Sequence, residues 1–278
     1  MKMNKTVSIR STESCHLIKA AGFHGVDYDF TCIPVELEDE NFEKNARSDL
    51  ERIAAEGLCL SQVHLSYHAF VFPPIGDGSY DAYEAKLLPI LTKEIKLAAE
   101  MGCRLAVNHM YYEDDAEITK ESNVRLIKKL LPTLEKCGVT LAIENIYDKG
   151  ATDAHFTTAD DLMYYTDLFK SKYVGICLDT GHAAVLNQKP LDMLRTLGER
   201  VKAVHLHAGV PNFDLHSFPY IMGAGYWSEL VDLLGKLEAC ENLNFEIRPQ
   251  APISERTAKA FYEFLSALAD DIVNFKKT

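Results

Sequence analysis

No stretch of the 278-residue sequence approaches the roughly 18 consecutive apolar residues that a membrane-spanning helix needs. Nor does an apolar run follow the lysines of the N-terminal MKMNKTVSIRST, so no secretory leader is legible and an unprocessed cytoplasmic protein is expected. The seven cysteines (Cys15, Cys32, Cys59, Cys103, Cys137, Cys177 and Cys240) are odd in number, scattered and free of any C-x-x-C pair. That excludes a disulfide framework and a thiolate metal cage, and leaves reduced, packed thiols. Glycine and proline are sparse at 15 and 10, and no linker, low-complexity tract or sustained charge run interrupts the chain. Fibrous and disordered classes are thereby excluded, and one domain over 1–278 is the economical expectation. Basic residues are also in short supply: 29 Lys and Arg against 41 Asp and Glu give a net charge of −12. A nucleic acid or an anionic membrane surface is repelled by that balance unless a local basic patch reverses the field.

What the chain does have is 47% hydrophobic residues arranged in two alternating patterns. Short runs rich in Val, Ile and Leu read as strands: TVSIRS (6–11), GVDYDF (25–30), LSQVHLS (60–66), RLAVNHM (104–110), TLAIENI (140–146), VGICLDT (174–180), KAVHLHA (202–208) and LNFEIR (243–248). Between them lie segments with apolar residues three and four apart, which predicts helices. Several of these end in a glycine (Gly57, Gly102, Gly138) placed as a helix C-cap just before the next strand. Eight strands each followed by a helix, in a chain near the usual length, predict an α/β fold of the (β/α)8 TIM-barrel type. A doubly wound sheet is the weaker rival.

Such barrels keep their chemistry at the C-terminal ends of the strands, so the strand endings are the residues to inspect. They supply His64, His109, Glu144, Asp179 followed by His182, His205 with His207, and Glu246. A single histidine at a strand end is commonly structural, and a single glutamate there commonly faces solvent. Three carboxylates that each terminate a buried-type strand are another matter, because an uncompensated buried carboxylate costs several kcal/mol. Converging cations would offset that cost. Strand period places Ala203, His205 and His207 on one face, and Glu246 with Arg248 on another, where a guanidinium could clamp a carboxylate, a phosphate or a hydroxyl pair. An arginine merely paired with a neighbouring acid fits equally. Mixed imidazole and carboxylate ligands suit Zn²⁺, Mn²⁺, Co²⁺ or Fe²⁺, with Mg²⁺ as a harder option, and do not suit an all-oxygen Ca²⁺ cage.

The succession AIEN (142–145), CLDTGH (177–182), VHLH (204–207), DLH (214–216) and FEIRP (245–249) resembles the xylose isomerase-like barrel superfamily over nearly the whole chain. That superfamily joins sugar isomerases and epimerases to the endonuclease IV type of apurinic endonuclease. In the epimerase branch the resemblance implies one divalent ion held by Glu144, Asp179, His205 and Glu246, with the two glutamates as the acid/base pair. In the endonuclease branch it implies a trinuclear zinc site that adds His64, His109, His182, Asp214 and His216. All nine residue types are present. Two family motifs differ: the usual HPG after the fourth strand reads NHMYY (108–112), and GEG before the seventh helix reads GAG (223–225).

These readings converge on a metal-dependent enzyme that abstracts the proton α to a sugar carbonyl, acting on a sugar, a sugar phosphate or an inosose. Glu144 and Glu246 are the candidate catalytic residues. His182, His207, Arg248 and Trp227 are the candidate substrate contacts, and Phe70, Phe72, Phe213, Phe218 and Tyr220 are loop aromatics that either stack on a sugar or pack the loops. A dehydratase of a cyclic polyol or keto acid uses the same abstraction and stays open. A zinc phosphodiesterase also stays open, although YYEDDAEITKE (111–121) puts four acids at the mouth before its first lysine, which disfavours nucleic acid. The expected partner is a small molecule; a homo-oligomer is left open.

Overall fold

The computed structural model describes residues 3–32, 40–67, 80–111, 115–147, 156–219, 224–237, 240–249 and 252–274. Eight parallel strands close into a barrel: β1 (Asn4–Ile9), β2 (Gly25–Asp29), β3 (Cys59–His64), β4 (Leu105–Asn108), β5 (Thr140–Glu144), β6 (Val174–Asp179), β7 (Val201–Leu206) and β10 (Asn242–Phe245). β10 lies between β7 and β1 and so closes the ring. Around it stand α1 (Cys15–Ala20), α2 (Glu40–Ala55), α3 (Tyr80–Glu100), α4 (Ala116–Cys137), α5 (Ala159–Phe169), α6 (Thr180–Val185), α7 (Pro190–Leu197), α8 (Ala224–Leu234) and α9 (Glu255–Asn274). The barrel strands fall where the apolar runs predict them. Gly57, Gly102 and Gly138 take φ of 71°, 85° and 66°, the left-handed geometry expected of residues that end helices.

Two segments differ from the sequence expectation. Residues expected to form a loop after β7 make an antiparallel hairpin, β8 (Ala208–Val210) with β9 (Phe213–Ser217). The described part of the acidic tract 111–121 is mostly helix: Asp115 caps α4 by accepting from the Glu117 and Ile118 amides, and Glu117 lies in its first turn, where a negative charge is favoured. Residues 112–114 lie outside the described residues.

Strand alternation divides the barrel into an outer apolar shell and an unusual interior. Leu141, Ile143, Ile176, Leu178, Val204 and Leu206 pack into the main core beneath the helices. The intervening Val107, Ala142, Cys177 and Ala203 form a separate small cluster inside the barrel, from β4 to β7. The other half of the interior is polar. Thr6, Ser8, Asp27, Gln62 and Asn244 are each at most 2% exposed. Thr6 Oγ1 donates to Asn244 Oδ1 (2.9 Å), Asn244 Nδ2 to Asp27 Oδ2 (3.0 Å), and Ser8 Oγ to the same Asp27 oxygen (2.8 Å). Buried polar groups are tolerated when they are joined in this way.

Glu94 of α3 is fully buried outside this floor, and accepts from Ser66 N (3.0 Å) and Ser66 Oγ (2.5 Å). Burial pushes its carboxyl up from 4.5 to about 8, against the lowering effect of the bonds from Ser66. A folded state that holds a proton more tightly than the unfolded chain has that stabilisation in full below the unfolded value and loses it as the pH rises through the folded one. Wild-type stability should therefore fall between about pH 4.5 and 8 for this reason, and Glu94→Gln should remove that part of the slope. Denaturant melts at the two ends of the window measure it; an unchanged gap between variant and wild type at both ends would refute the assignment.

Candidate active site

The strand endings deliver their side chains to one end of the barrel. Glu144, Asp179, His205 and Glu246 come from β5, β6, β7 and the residue after β10, and each offers one ligand atom within 4.8 Å of the others. His205 Nδ1 lies 3.2 Å from Glu144 Oε1, 3.2 Å from Glu246 Oε2 and 3.9 Å from Asp179 Oδ2. Local backbone contacts fix this geometry. The Asn145 side chain donates to the Asp179 carbonyl (2.9 Å) and accepts from the Asp179 amide (2.7 Å), which ties the ends of β5 and β6 together. Asp179 then caps α6 by accepting from His182 N (2.6 Å).

Two further groups flank this centre. His64 and His109, from the ends of β3 and β4, place their Nε2 atoms 3.3 and 3.2 Å from Glu144 Oε2. Glu144 thus turns one oxygen to His205 and the other to this pair, and among the described residues Oε2 has no partner in hydrogen-bonding geometry. On the other side the hairpin brings Asp214 and His216 to His182 and His207, again within 4.8 Å. His216 Nε2 is 2.9 Å and His182 Nε2 is 3.9 Å from Asp214 Oδ2. All nine residues that the resemblance singled out are therefore brought to the same mouth.

Carbonyl contacts decide the histidine tautomers, since a carbonyl oxygen can only accept. His64, His182 and His216 give their Nδ1–H to the carbonyls of Leu65 (3.0 Å), Asn145 (2.8 Å) and Glu246 (2.9 Å), so each turns its Nε2 toward the carboxylates. His205 is inverted. Its Nε2 meets Asp27 Oδ2 (3.3 Å) and the Gln62 amide (2.9 Å) across the barrel, which leaves Nδ1 for the centre. His207 differs from all of these: Nε2 contacts Asp179 Oδ2 at 3.0 Å while its ring stacks on His216 at 4.2 Å, so it orients a carboxylate. The sequence does not disclose Asp27 and Gln62 as site residues. A charged residue in the middle of a buried strand was the available signal.

Electrostatics follow from this crowding. Burial favours the neutral acid at Glu144 and Glu246, but neighbouring imidazoles outweigh it and hold both carboxyls well below the usual range; His205 and His109 act on Glu144, His205 and His216 on Glu246. Burial works against charge on the histidines too, yet the acids raise His64 and His216 to about 9 and lift His205 well above its ordinary value. His109 is lowered, because burial there exceeds the pull of Glu144. A donor set of buried carboxylates and imidazole nitrogens turned toward them, with Glu144 Oε2 and Asp214 Oδ1 lacking hydrogen-bond partners among the described residues, fits divalent cations.

Some expected contacts fall elsewhere. Trp227 is on α8 at 4% exposure within the hydrophobic core, where its apolar area is better buried than at a wet mouth. Phe213 points outward at 61% exposure, because strand alternation turns Asp214 and His216 inward. Phe218 packs on Phe261 and Phe264 of α9. Phe70, Phe72 and Tyr220 lie outside the described residues. Arg248 does reach the mouth, with Nη1 3.7 Å from Glu246 Oε1.

Comparison with known proteins agrees with this arrangement. A family described as xylose isomerase-like TIM barrel matches residues 15–264. The chain belongs to that family. A curated relative, the uncharacterized protein y4fM of Sinorhizobium fredii (strain NBRC 101917 / NGR234), is 26% identical over 160 residues, which is 56% of this chain and 51% of that protein. The chain thus matches about half the length of that relative. Among solved structures, a xylose isomerase domain protein from Alicyclobacillus acidocaldarius subsp. acidocaldarius superposes with a TM-score of 0.71 at 16% identity, covering 98% of this chain and 99% of the other. The 3-keto-D-glucoside 4-epimerase YcjR from E. coli gives 0.67 at 17%, covering 97% and 100%. At such identities these likenesses show the shared fold.

Within the family barrel, close approach at Gly181 sets the spacing of α6 and the hairpin. A Cβ there would lie 1.8 Å from His207 Cε1, and a Cβ on Gly209 would lie 2.5 Å from the Gly181 carbonyl oxygen. The His207 ring is held by Asp179 and His216 and has little room to give. Gly181→Ala is expected to cost about 1–3 kcal/mol and to displace His207. Thermal melts and the His207 imidazole resonances report it; a variant with both unchanged would contradict the packing argument.

Proposed function

We propose that this protein is a divalent-metal-dependent isomerase or epimerase of a sugar, sugar phosphate or inosose, working by proton abstraction next to a carbonyl. The observation that carries the reading is the placement of two ionised glutamates, Glu144 and Glu246, each 3.2 Å from His205 Nδ1 and drawn from strands on different sides of the mouth. Glu144, Asp179, His205 and Glu246 would hold the ion, Mn²⁺, Zn²⁺, Co²⁺ or Mg²⁺, which when bound supplies Lewis acidity to the carbonyl and hydroxyl oxygens of the substrate. The remaining work belongs to the chain. A glutamate held ionised in a water-poor pocket takes the proton from the carbon α to the carbonyl. Return by the same glutamate to the adjacent carbon gives an isomer; delivery by the other to the opposite face gives an epimer. Asp27 and Gln62 hold the ring of His205, and Asn145 holds Asp179, so the ligands keep their positions through proton transfer. The likeness to the E. coli epimerase supports this reading at the level of fold.

Solvent exchange tests it without knowledge of the product. Metal-loaded protein incubated with a panel of ketoses and inososes in D₂O should place deuterium on the carbon α to the carbonyl, and Glu246→Gln should abolish the exchange. A complete lack of exchange across the panel would sink the proposal.

A second reading rests on its own observation. His64, His109 and Glu144 form one extra ligand group, and His182, His207, Asp214 and His216 form another, as a multinuclear phosphodiesterase of the endonuclease IV type would require. The net charge of −12 weighs against a nucleic acid as its substrate. Metal analysis separates the two: the isomerase reading expects about one ion per chain, whereas about three zinc ions, with hydrolysis of an activated phosphodiester, would transfer the assignment to the hydrolase.

A further inference from the structure

Two arginines follow neighbouring strands at the edge of this acidic mouth. β1 and β10 are paired in parallel with Val7 opposite Phe245, and Arg10 and Arg248 each follow three residues after those positions. Both therefore leave neighbouring strands at the same end of the barrel. Contacts agree with that placement. Arg10 Nε donates to Asp29 Oδ2 at 2.6 Å, at the end of β2, and its charge is felt by Glu246 and by Tyr67. Tyr67 in turn packs its ring 4.3 Å from His109 and 5.3 Å from His64. Arg10 thus bounds the same mouth as the candidate ligands.

Arg248 is the more informative of the two. Its Nη1 is buried and has no hydrogen-bond partner among the described residues, and Glu246 Oε1 is 3.7 Å away, beyond hydrogen-bonding reach. A guanidinium whose role was to neutralise Glu246 would close that gap, since charge-assisted pairs shorten to within about 3 Å. A buried donor left without an acceptor is costly, and is retained where a ligand supplies the acceptor. Glu246 is meanwhile occupied by His205 and His216, which leaves the guanidinium facing the mouth.

We propose that the substrate carries an oxyanion, a carboxylate or a phosphate ester, seated by Arg248 with Arg10 at the rim between β1 and β10. This rests on the isomerase or epimerase reading above and narrows its substrate class: a neutral sugar would leave the Arg248 donor unmet. Planar guanidinium forks bind both kinds of oxyanion bidentately, so the ligand chemistry is shared and the two sources are separated by experiment.

Calorimetric titration of the metal-free and the Mn²⁺-loaded protein with inorganic phosphate, D-glucuronate and D-fructose tests the proposal. At least one oxyanion should bind about tenfold or more tightly than fructose in both forms, and whichever does so identifies the group as phosphate or carboxylate. Arg248→Met and Arg10→Met should each weaken that binding by about ten- to hundredfold, with Arg248→Lys intermediate because it keeps charge and loses the fork. Oxyanions that bind no better than fructose, or that bind both methionine variants as they bind the wild type, would overturn the subsite. Binding is read without turnover, so a failure here is distinct from an absence of deuterium exchange, which would count against the isomerase reading alone.

Discussion

Desolvation of carboxylates governs this structure. Asp27, Glu144 and Asp179 are each at most 1% exposed, and Glu246 is 8% exposed, inside a closed barrel. Burial on this scale disfavours ionisation strongly unless cations or donors converge. Here the converging groups are imidazoles from every side: His64 and His109 on one flank of Glu144, His205 at the centre, His182 and His216 beyond. The fold, the motif spacing and the chemistry all answer to that one requirement, because only a closed ring of strand ends brings acids and imidazoles from such distant parts of the sequence within a few ångströms.

Much of this was legible before any coordinates. A strand buried on both faces leaves its inward positions two residues apart, so a carboxylate that ends such a run has to point into the mouth. Glu144, Asp179 and His205 obey that rule, as does Glu246 one residue past its strand. Less legible were the residues one layer deeper. Asp27 and Gln62 sit in runs that read as ordinary strands, and their partner His205 is on β7, which neighbours neither β2 nor β3 in the ring. Their contact exists only across the closed interior, which no local pattern encodes. Trp227 misled for the opposite reason: it follows a glycine-rich loop in sequence, yet its place on α8 turns it into the core.

The polar floor and the apolar floor have different tasks. From β4 to β7 small side chains, Val107, Ala142, Cys177 and Ala203, form the surface beneath Glu144, Asp179 and His205, and the Cys177 thiol lies within reach of Glu144 and His205. From β10 round to β3 the network of Asn244, Ser8, Asp27 and Gln62 reaches up to the one imidazole whose Nδ1, not Nε2, faces the centre. Asp27 and Gln62 at Nε2 hold the ring of His205 with its other nitrogen toward the centre. A uniformly aliphatic floor would leave that ring free to turn over, with the wrong nitrogen protonated.

The hairpin is where the one-centre and multi-centre readings part, and its backbone carries a physical clue. His216 sits at φ 41°, in the left-handed region that non-glycine residues rarely occupy, and is held there by its Nδ1–H on the Glu246 carbonyl and by stacking on His207. Strain of this kind persists only where surrounding contacts over-determine it. The bond to the Glu246 carbonyl joins the hairpin to one of the two glutamates of the proposed proton transfer, so the conformation of His216 has a use in the one-ion reading: it seats Glu246 against His205. A site for three ions is therefore not required to account for Asp214 and His216, and the strained histidine is as well explained by positioning Glu246 as by holding a metal of its own.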